Sequence, residues 1–405
     1  MSMQELFGGM RSLADIDEDA RMGEWGEGIS YAYRNINIFT ALSSRLKREV
    51  VEDPTFSFYE GSAPPMRVLK DGTEADTAET SLVVKSSQYT APAKMMRKGM
   101  VLRVGSSPVA GELLFVTDNP TTDDTITVRR GAFGSTAATI TDEDEITIMG
   151  TASPDGAGAP SPVGIEPYTV ENQVQIFRNS YSIDATLDAT KTKWGIKERL
   201  RRKTNALEQH LLSREMTCLM GEGYEEVDSE EGTPLRTTKG VIPHIVTNRL
   251  SAGSTSFTYA AFKAWALPLA KYGQVELTML LGATLFASIQ DMCEDNSQTT
   301  IEPGIRKFGM YITRLQTAGP VINLVIHPLL TQYYPGTGVA LDLSQIEIKT
   351  MRDKDGVRDM RFRPNIQAPD VDGHMGEYLS HIGIALGHED RHGVIHDNTV
   401  YTPAA

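Results

Sequence analysis

KTKWGIKERLRRKTNALEQHLLSREMTCLMG, from Lys191 to Gly221, is the stretch that decides the fold. Ile196, Leu200, Leu207 and Leu211 follow one another by 4, 7 and 4 residues, which keeps them on one stripe of an α-helix. Leu212, Met216 and Leu219 make a second stripe in the last turns, so that end is expected to be buried on two sides. Gly221 and Gly223 are C-terminal stops. A helix of this length would run about 40 Å, longer than most helices of small enzymes. A backbone strut is one use for it.

Upstream of the helix the pattern is extended. Val83 and Val84 begin one such piece, and residues 97–152 form an island of short β-rich runs. These are Met100–Val104, Leu113–Val116, Thr125–Val128 and Glu145–Ile148, separated by turn clusters such as Gly105-Ser-Ser-Pro108 and Asp118-Asn-Pro120. Strands at this spacing predict a small all-β module, such as a barrel, inserted into a longer extended excursion. Ser153-Pro-Asp-Gly-Ala-Gly-Ala-Pro-Ser-Pro162 is a linker by composition, and extended structure resumes over Tyr168–Ile183. Further upstream, Ile36, Phe39, Leu42 and Leu46 give a helical stripe that Asp53-Pro54 ends. Residues 1–55 hold too few apolar positions for a core of their own and read as an arm that lies on something else.

Downstream, Asp228–Thr233 is an acidic loop containing a glycine. Residues 240–345 then alternate: Gly240–Val246 extended, Tyr259–Tyr272 helical, Leu277–Leu281 a buried strand, Leu285–Met292 helical and Val321–Ile326 a buried strand. That is an α/β unit. Ile346–Ile348, Arg358–Phe362 and Ile382–Leu386 are β segments that could return to the long helix.

Composition narrows the function. The 405 residues include 40% hydrophobic and 23% charged side chains, which excludes disorder throughout. With 39 Lys and Arg against 53 Asp and Glu the net charge is −14, so the chain is not a general nucleic-acid binder, and any such contact must come from a local basic stretch. Cys218 and Cys293 are too few for a disulfide framework or a cysteine-rich zinc site, and a reducing compartment is the simplest reading. The N-terminal stretch carries Asp15, Asp17, Glu18 and Asp19 rather than a basic-then-apolar run, and no segment is long and apolar enough to span a bilayer. The expectation is a soluble protein kept in a cytoplasm.

Two clusters could carry chemistry. His388-Glu-Asp-Arg-His392 matches the HExxH pattern of zinc peptidases, and His396 follows. Such a site needs both histidines one helical turn apart with the glutamate beside the metal-bound water. Gly387 and Gly393 bracket the motif, and β-favouring residues flank it, so a hairpin with its turn near Glu389–Arg391 is expected instead. The second cluster is basic: Lys191, Lys193, Lys197, Arg199, Arg201, Arg202 and Lys203, opposed by Glu198 alone. It reads either as a surface for phosphate or carboxylate partners or as a solvated helix face with internal ion pairs. No phosphate-binding loop, dinucleotide-binding turn or nucleophile elbow is present, and no cofactor is expected.

The order of parts resembles the Hong Kong 97-type major capsid proteins of tailed bacteriophages, in particular the SU-ten-like major head proteins. Asn35–Leu42 with Asp53–Glu60 looks like the arm-to-loop passage, and Thr125–Gly131 with Gly134–Ala138 like the inserted β module. Asn172–Ser182 looks like the returning strand, Gly319–Pro328 and Leu341–Leu343 like the later half, and Arg391–Ile395 like the closing hairpin. The likeness runs from about residue 28 to 397 and implies an α+β fold with four parts. These are an N-terminal arm (1–55), an extended loop (56–190) with its β insertion at 97–152, a peripheral domain with the spine helix (191–240 and 343–400), and an α/β axial domain (241–342). It further implies a non-enzymatic protein that self-assembles through hexamers and pentamers into an icosahedral or prolate shell around double-stranded DNA. Portal, scaffolding and decoration proteins would be its partners, the host cytoplasm its place of assembly and the virion its destination. Lys191, Lys193, Lys197, Arg199, Arg202 and Lys203 would then face a neighbouring subunit or the DNA. A zinc-dependent peptidase built on the HEDRH motif and a cellular nanocompartment shell of the same fold are the alternatives.

Overall fold

The computed structural model describes residues 38–39 and 46–397, apart from 62–65, 87–90, 161, 163, 165–166, 191–196, 231, 252–256, 272, 274–275, 296–299, 308–309, 317–318 and 355. The chain divides into a larger unit, residues 1–57 and 171–405, and a smaller one, residues 58–170. Strands Thr55–Glu60 and Tyr168–Gln173 pair with each other where the chain passes from one to the other and back.

The larger unit is built on two sheets. The first runs in the order Lys47–Val51, Ile346–Asp353, Gly373–Leu386, Gln175–Asp184, with Gly356–Val357 and Arg361–Arg363 as short additions. The second has seven strands in the order Arg249–Ser251, Gly393–His396, Gly338–Leu341, Glu276–Leu281, Val321–Ile326, Met310–Gln316, Thr300–Lys307. One apolar core joins them, with Phe177, Ile348 and Ile384 from the first sheet meeting Leu280, Val325 and Val339 from the second. A second core lies under helices Tyr259–Leu269 and Ala283–Asp295, where Trp265, Leu269, Leu285 and Ile289 pack on Leu277, Met279 and Leu324.

The long helix is Glu198–Met220, and it packs on strands Gln175–Asp184 and Gly373–Leu386. Its buried face is not the leucine stripe expected from spacing. Leu200 is 58% exposed, whereas Glu198, Ala206, His210, Arg214, Glu215, Cys218 and Leu219 are buried. Spacing alone cannot anticipate this, because buried polar residues are tolerated wherever the facing strands supply partners.

Two local expectations are corrected. Gly240–Val246 is not extended: Val241–His244 forms a helical turn. The turn directs Val241 and Ile245, one helical step apart, into the core and leaves Val246 in solvent. The HEDRH segment does not sit in a hairpin. Residues Glu389–Arg391 make a 3-10 turn, but Gly373–Leu386 ends in the first sheet and Gly393–His396 starts in the second. His388, at φ 51°, turns the chain, and the Asn248 amide donates to the carbonyls of Asp390 (2.7 Å) and His392 (3.0 Å). At Gly393 a Cβ would stand 2.7 Å from the Trp265 ring, so only glycine fits this crossing.

The arm ends differently from the pattern as well. Ile38 and Phe39 are helical and, with Leu46, belong to the shared core, while Ile36 and Leu42 lie outside the described residues. The helical stripe does not continue to Pro54, because Lys47–Val51 is a strand that pairs in parallel with Ile346–Asp353.

The smaller unit is a six-stranded sheet in the order Arg67–Leu69, Glu145–Thr151, Met100–Val104, Leu113–Val116, Thr125–Arg129, Ser81–Val83. A Lys70–Val84 bridge brings the first and last strands together, closing the sheet as a small barrel. Alternation drives it: Leu82, Leu102, Leu114, Ile126 and Ile146 fill the interior and are fully buried. The four strands foreseen within 97–152 are present, and strands Arg67–Leu69 and Ser81–Val83 from before that interval complete the sheet. Glu112 and Arg130 form a buried two-pronged ion pair at 2.7 and 2.8 Å. The Glu112 carboxyl also accepts the N–H of Gly131 (2.8 Å) and Ala138 (3.2 Å), pinning the loop beyond Arg129.

Removing one partner of a buried pair strands the other. Glu112→Ala is therefore expected to destabilise the barrel by about 3 kcal/mol. Hydrogen exchange on the full chain should show lost amide protection over the barrel strands and unchanged protection in the spine helix.

Candidate assembly surface and spine

The basic start of the helix resolves into separate parts. Lys191 and Lys193 lie outside the described residues. Lys197 is the helix N-cap and is exposed. Glu198 is buried and accepts hydrogen bonds from the guanidiniums of both Arg201 (Nε, 2.8 Å) and Arg202 (Nε, 3.2 Å). The Arg201 guanidinium beside it, then that of Arg202, outweighs burial and holds its carboxyl down at about 2. A carboxylate in the first turn also suits the positive end of the helix dipole. Arg202 donates to the Ser182 carbonyl at 3.0 Å, and the Lys203 ammonium stands 4.0 Å above the centre of the Phe362 ring. Arg202 and Lys203 are thus engaged within the chain. Lys197 and Arg199 make no ion pair among the described residues, so the outward-directed part of the cluster is smaller than its letters suggest.

Further along, the buried face of the spine is a polar ladder. His210 lies between Asn179 Oδ1 (3.0 Å, at Nδ1) and Ser380 Oγ (2.8 Å, at Nε2). Arg214 pairs with Asp359 at 3.1 Å, with both side chains nearly fully buried. Glu215 Oε1 accepts the backbone N–H of Phe39 and lies 2.8 Å from His327 Nε2. These residues give no periodic signal, and only the pairing of distant segments reveals them.

The HEDRH residues are occupied otherwise than in a zinc site. Glu389 accepts the backbone N–H groups of Val246 (2.7 Å) and Thr247 (3.1 Å) and the Thr247 hydroxyl. His392 is fully buried. Its Nδ1 accepts the Asp342 N–H (3.2 Å), so Nε2 carries the proton and donates to the Gly387 carbonyl (3.2 Å). His396 is held by Asp397 at 2.6 Å. The turn is 3-10 and single, so the two motif histidines do not share a helical face.

The polar groups on the buried face of the spine and in the HEDRH turn are thus engaged by neighbours in the same chain. Residues 40–399 match the family model described as SU10 major capsid protein, and the chain belongs to that family. It is 22% identical over 238 residues to the major capsid protein of Pseudomonas phage PaMx41, a match that covers 56% of each chain, so the chain spans just over half of that curated relative. Among solved structures it is similar to the capsid of an empty GTA particle (TM-score 0.47, 7% identity, covering 94% of this chain and 96% of that one). It is also similar to Mycobacterium phage Bobi (TM-score 0.44, 9% identity, covering 97% and 99%).

Two outcomes follow from this geometry. Burial first of all pushes the His210 and His392 imidazoles down to about 4 from the ordinary 6.5. Between pH 6.5 and 4 the unfolded chain therefore binds protons that the folded chain does not, and stability falls as pH falls through that window. The loss should reach about 3 kcal/mol for a fully buried ring such as His210. Denaturant midpoints followed against pH should decline below pH 6.5, and the decline should shrink in His210→Asn. Elemental analysis of protein purified without chelator should give far less than one zinc per chain, unchanged in His388→Ala. Stoichiometric zinc that disappears in the variant would revive a metal site.

Proposed function

We propose that this chain is the shell-forming subunit of a tailed-phage head, which assembles in the host cytoplasm into an icosahedral or prolate container for double-stranded DNA. Membership of the SU10 major capsid protein family over residues 40–399 is the observation that carries this reading. In it, residues 1–55 serve as the arm and 56–190 as the extended loop with its barrel. Residues 191–240 and 343–400 make the peripheral domain, and 241–342 the axial domain. Many modest contacts between copies in head-to-tail rings would give hexamers and pentamers that sum to a closed particle. Portal, scaffolding and decoration proteins would complete the head. The net charge of −14 suits a container that must take up and release DNA without holding it tightly.

Lys197 and Arg199, which make no ion pair among the described residues, are the members of the basic cluster best suited to face a neighbour or the DNA. Electron microscopy of the protein, expressed alone or with its phage partners, should show capsomers and megadalton shells. A monodisperse monomer or dimer at high concentration, with partners present, would sink the reading. Lys197→Glu/Arg199→Glu should keep the thermal midpoint of the subunit within about 2 °C, since surface charges without an ion-pair partner contribute little to their own fold, while lowering shell yield or DNA retention. Parental yield and parental DNA content would make the cluster a solvated face.

A further inference from the structure

Strand Lys47–Val51 forms one edge of the first sheet: it pairs in parallel with Ile346–Asp353 and, among the described residues, has no strand on its other side. Four of its five residues are exposed, so apolar burial contributes little to holding it. It hangs between two apolar anchors instead. Leu46 before it belongs to the shared core, and Phe56 after it is buried, its ring so close to Gly383 that a Cβ there would stand 2.6 Å away.

What grips the strand is charge. The register sets Lys47 opposite Glu347 and Glu49 opposite Lys349. All four side chains lie on the sheet face turned away from the spine, since Ile348 between them enters the core and Arg48 reaches Asp359, the partner of Arg214 on the spine. They join into one alternating chain: Lys47 pairs with Glu347, Glu347 with Lys349 (2.8 Å), and Lys349 with Glu49. Burial alone would raise the Glu347 carboxyl and lower the Lys349 ammonium. The opposite charges on either side outweigh it, so Glu347 titrates below and Lys349 above its ordinary value. The Lys349 side chain is 8% exposed, whereas Lys47 and Glu49 on the arm are 70% and 53% exposed. Salt therefore reaches the arm's half of the ladder.

The same alternation fixes the register. A one-residue slip would turn Lys47 and Glu49 toward the core. A two-residue slip sets either Lys47 against Lys349 or Glu49 against Glu347, like charge against like. Beneath the strand, Ile346–Asp353 is longer and more apolar, eight residues with Ile346 and Ile348 in the core. Stripped of its cover it would be an edge with unpaired backbone groups, of the kind that accepts a strand from another chain. Its sequence is self-complementary in antiparallel pairing: with Ile348 opposite the same residue of a second copy, Glu347 meets Lys349 and Lys349 meets Glu347.

We propose that Lys47–Val51 is a charge-coded strap: the ladder Lys47–Glu347–Lys349–Glu49 closes it in a single register, and weakening the ladder opens it and bares Ile346–Asp353 as an edge that pairs with the same strand of a second copy of this chain.

Hydrogen exchange on the full, unassembled chain tests it. Between about 0.1 M and about 1 M NaCl the amides of 47–51 should exchange about tenfold faster, while those of the spine helix keep their rate. Lys47→Glu/Glu49→Lys should open the strap at low salt and release part of the protection over 346–353. Raising the concentration of this variant should then restore protection over 346–353 but not over 47–51, as copies pair edge to edge. Adding Glu347→Lys/Lys349→Glu to it rebuilds the ladder with every sign inverted and should return parental protection to both segments. Exchange over 47–51 that ignores salt, or an arm variant protected like the parent, overturns the strap. A four-fold variant that recovers nothing overturns the charge code. Protection over 346–353 that is independent of concentration in the arm variant overturns the pairing of copies.

Discussion

One buried carboxyl group holds the larger unit in register. Glu215, without exposure to solvent, takes the Phe39 N–H from the arm and meets His327 just past strand Val321–Ile326. Three segments separated by more than a hundred residues converge on it. A buried polar group left unmatched is strongly penalised, so few alternative packings of arm, helix and second sheet keep it satisfied. The Arg214–Asp359 pair beside it does the same for the first sheet, and Arg48 of the arm strand also reaches Asp359, at 3.2 Å.

Periodic elements were legible in the sequence wherever one side chain type dominated one face. The barrel strands Met100–Val104 and Leu113–Val116 and the buried strand Val321–Ile326 coincide with their apolar runs. The spine was legible as a helix but not as to which side is buried. Its leucines advertise one face, while His210, Arg214 and Glu215 are buried on another through partners that sequence proximity does not announce. The helical turn Val241–His244 was not legible, because a β-favouring run beside glycines has the same letters whether it extends or makes one helical turn. The letters of the HEDRH segment mark a turn but not its pairing, since partners come from the whole fold: strand Gly393–His396 joins Arg249–Ser251 and Gly338–Leu341 rather than closing a hairpin.

Charge was legible only as a sum. The basic run before and within the spine looked like a surface, yet Glu198 absorbs Arg201 and Arg202, and Phe362 receives Lys203. The arginines of the sheet face, Arg178 and Arg358 to Arg363, are scattered over some 185 positions and make no run at all. They become a cluster because two strands and a short edge strand bring them around Glu377 and Asp353. Glu198, Glu377 and Asp353 each take two arginines, and only the first of these sets is adjacent in sequence.

The paired strands Thr55–Glu60 and Tyr168–Gln173 have a consequence for how such chains can change over time. Neighbouring strands lie about 4.8 Å apart, so the barrel leaves and rejoins the chain through one narrow doorway. A domain whose two termini sit side by side can be exchanged at such a doorway for any other with the same property, without re-threading the host. The barrel is in that sense a cartridge: its loops and even its fold are free to diverge under separate selection while the spine, with Glu215 and its partners, stays as it is.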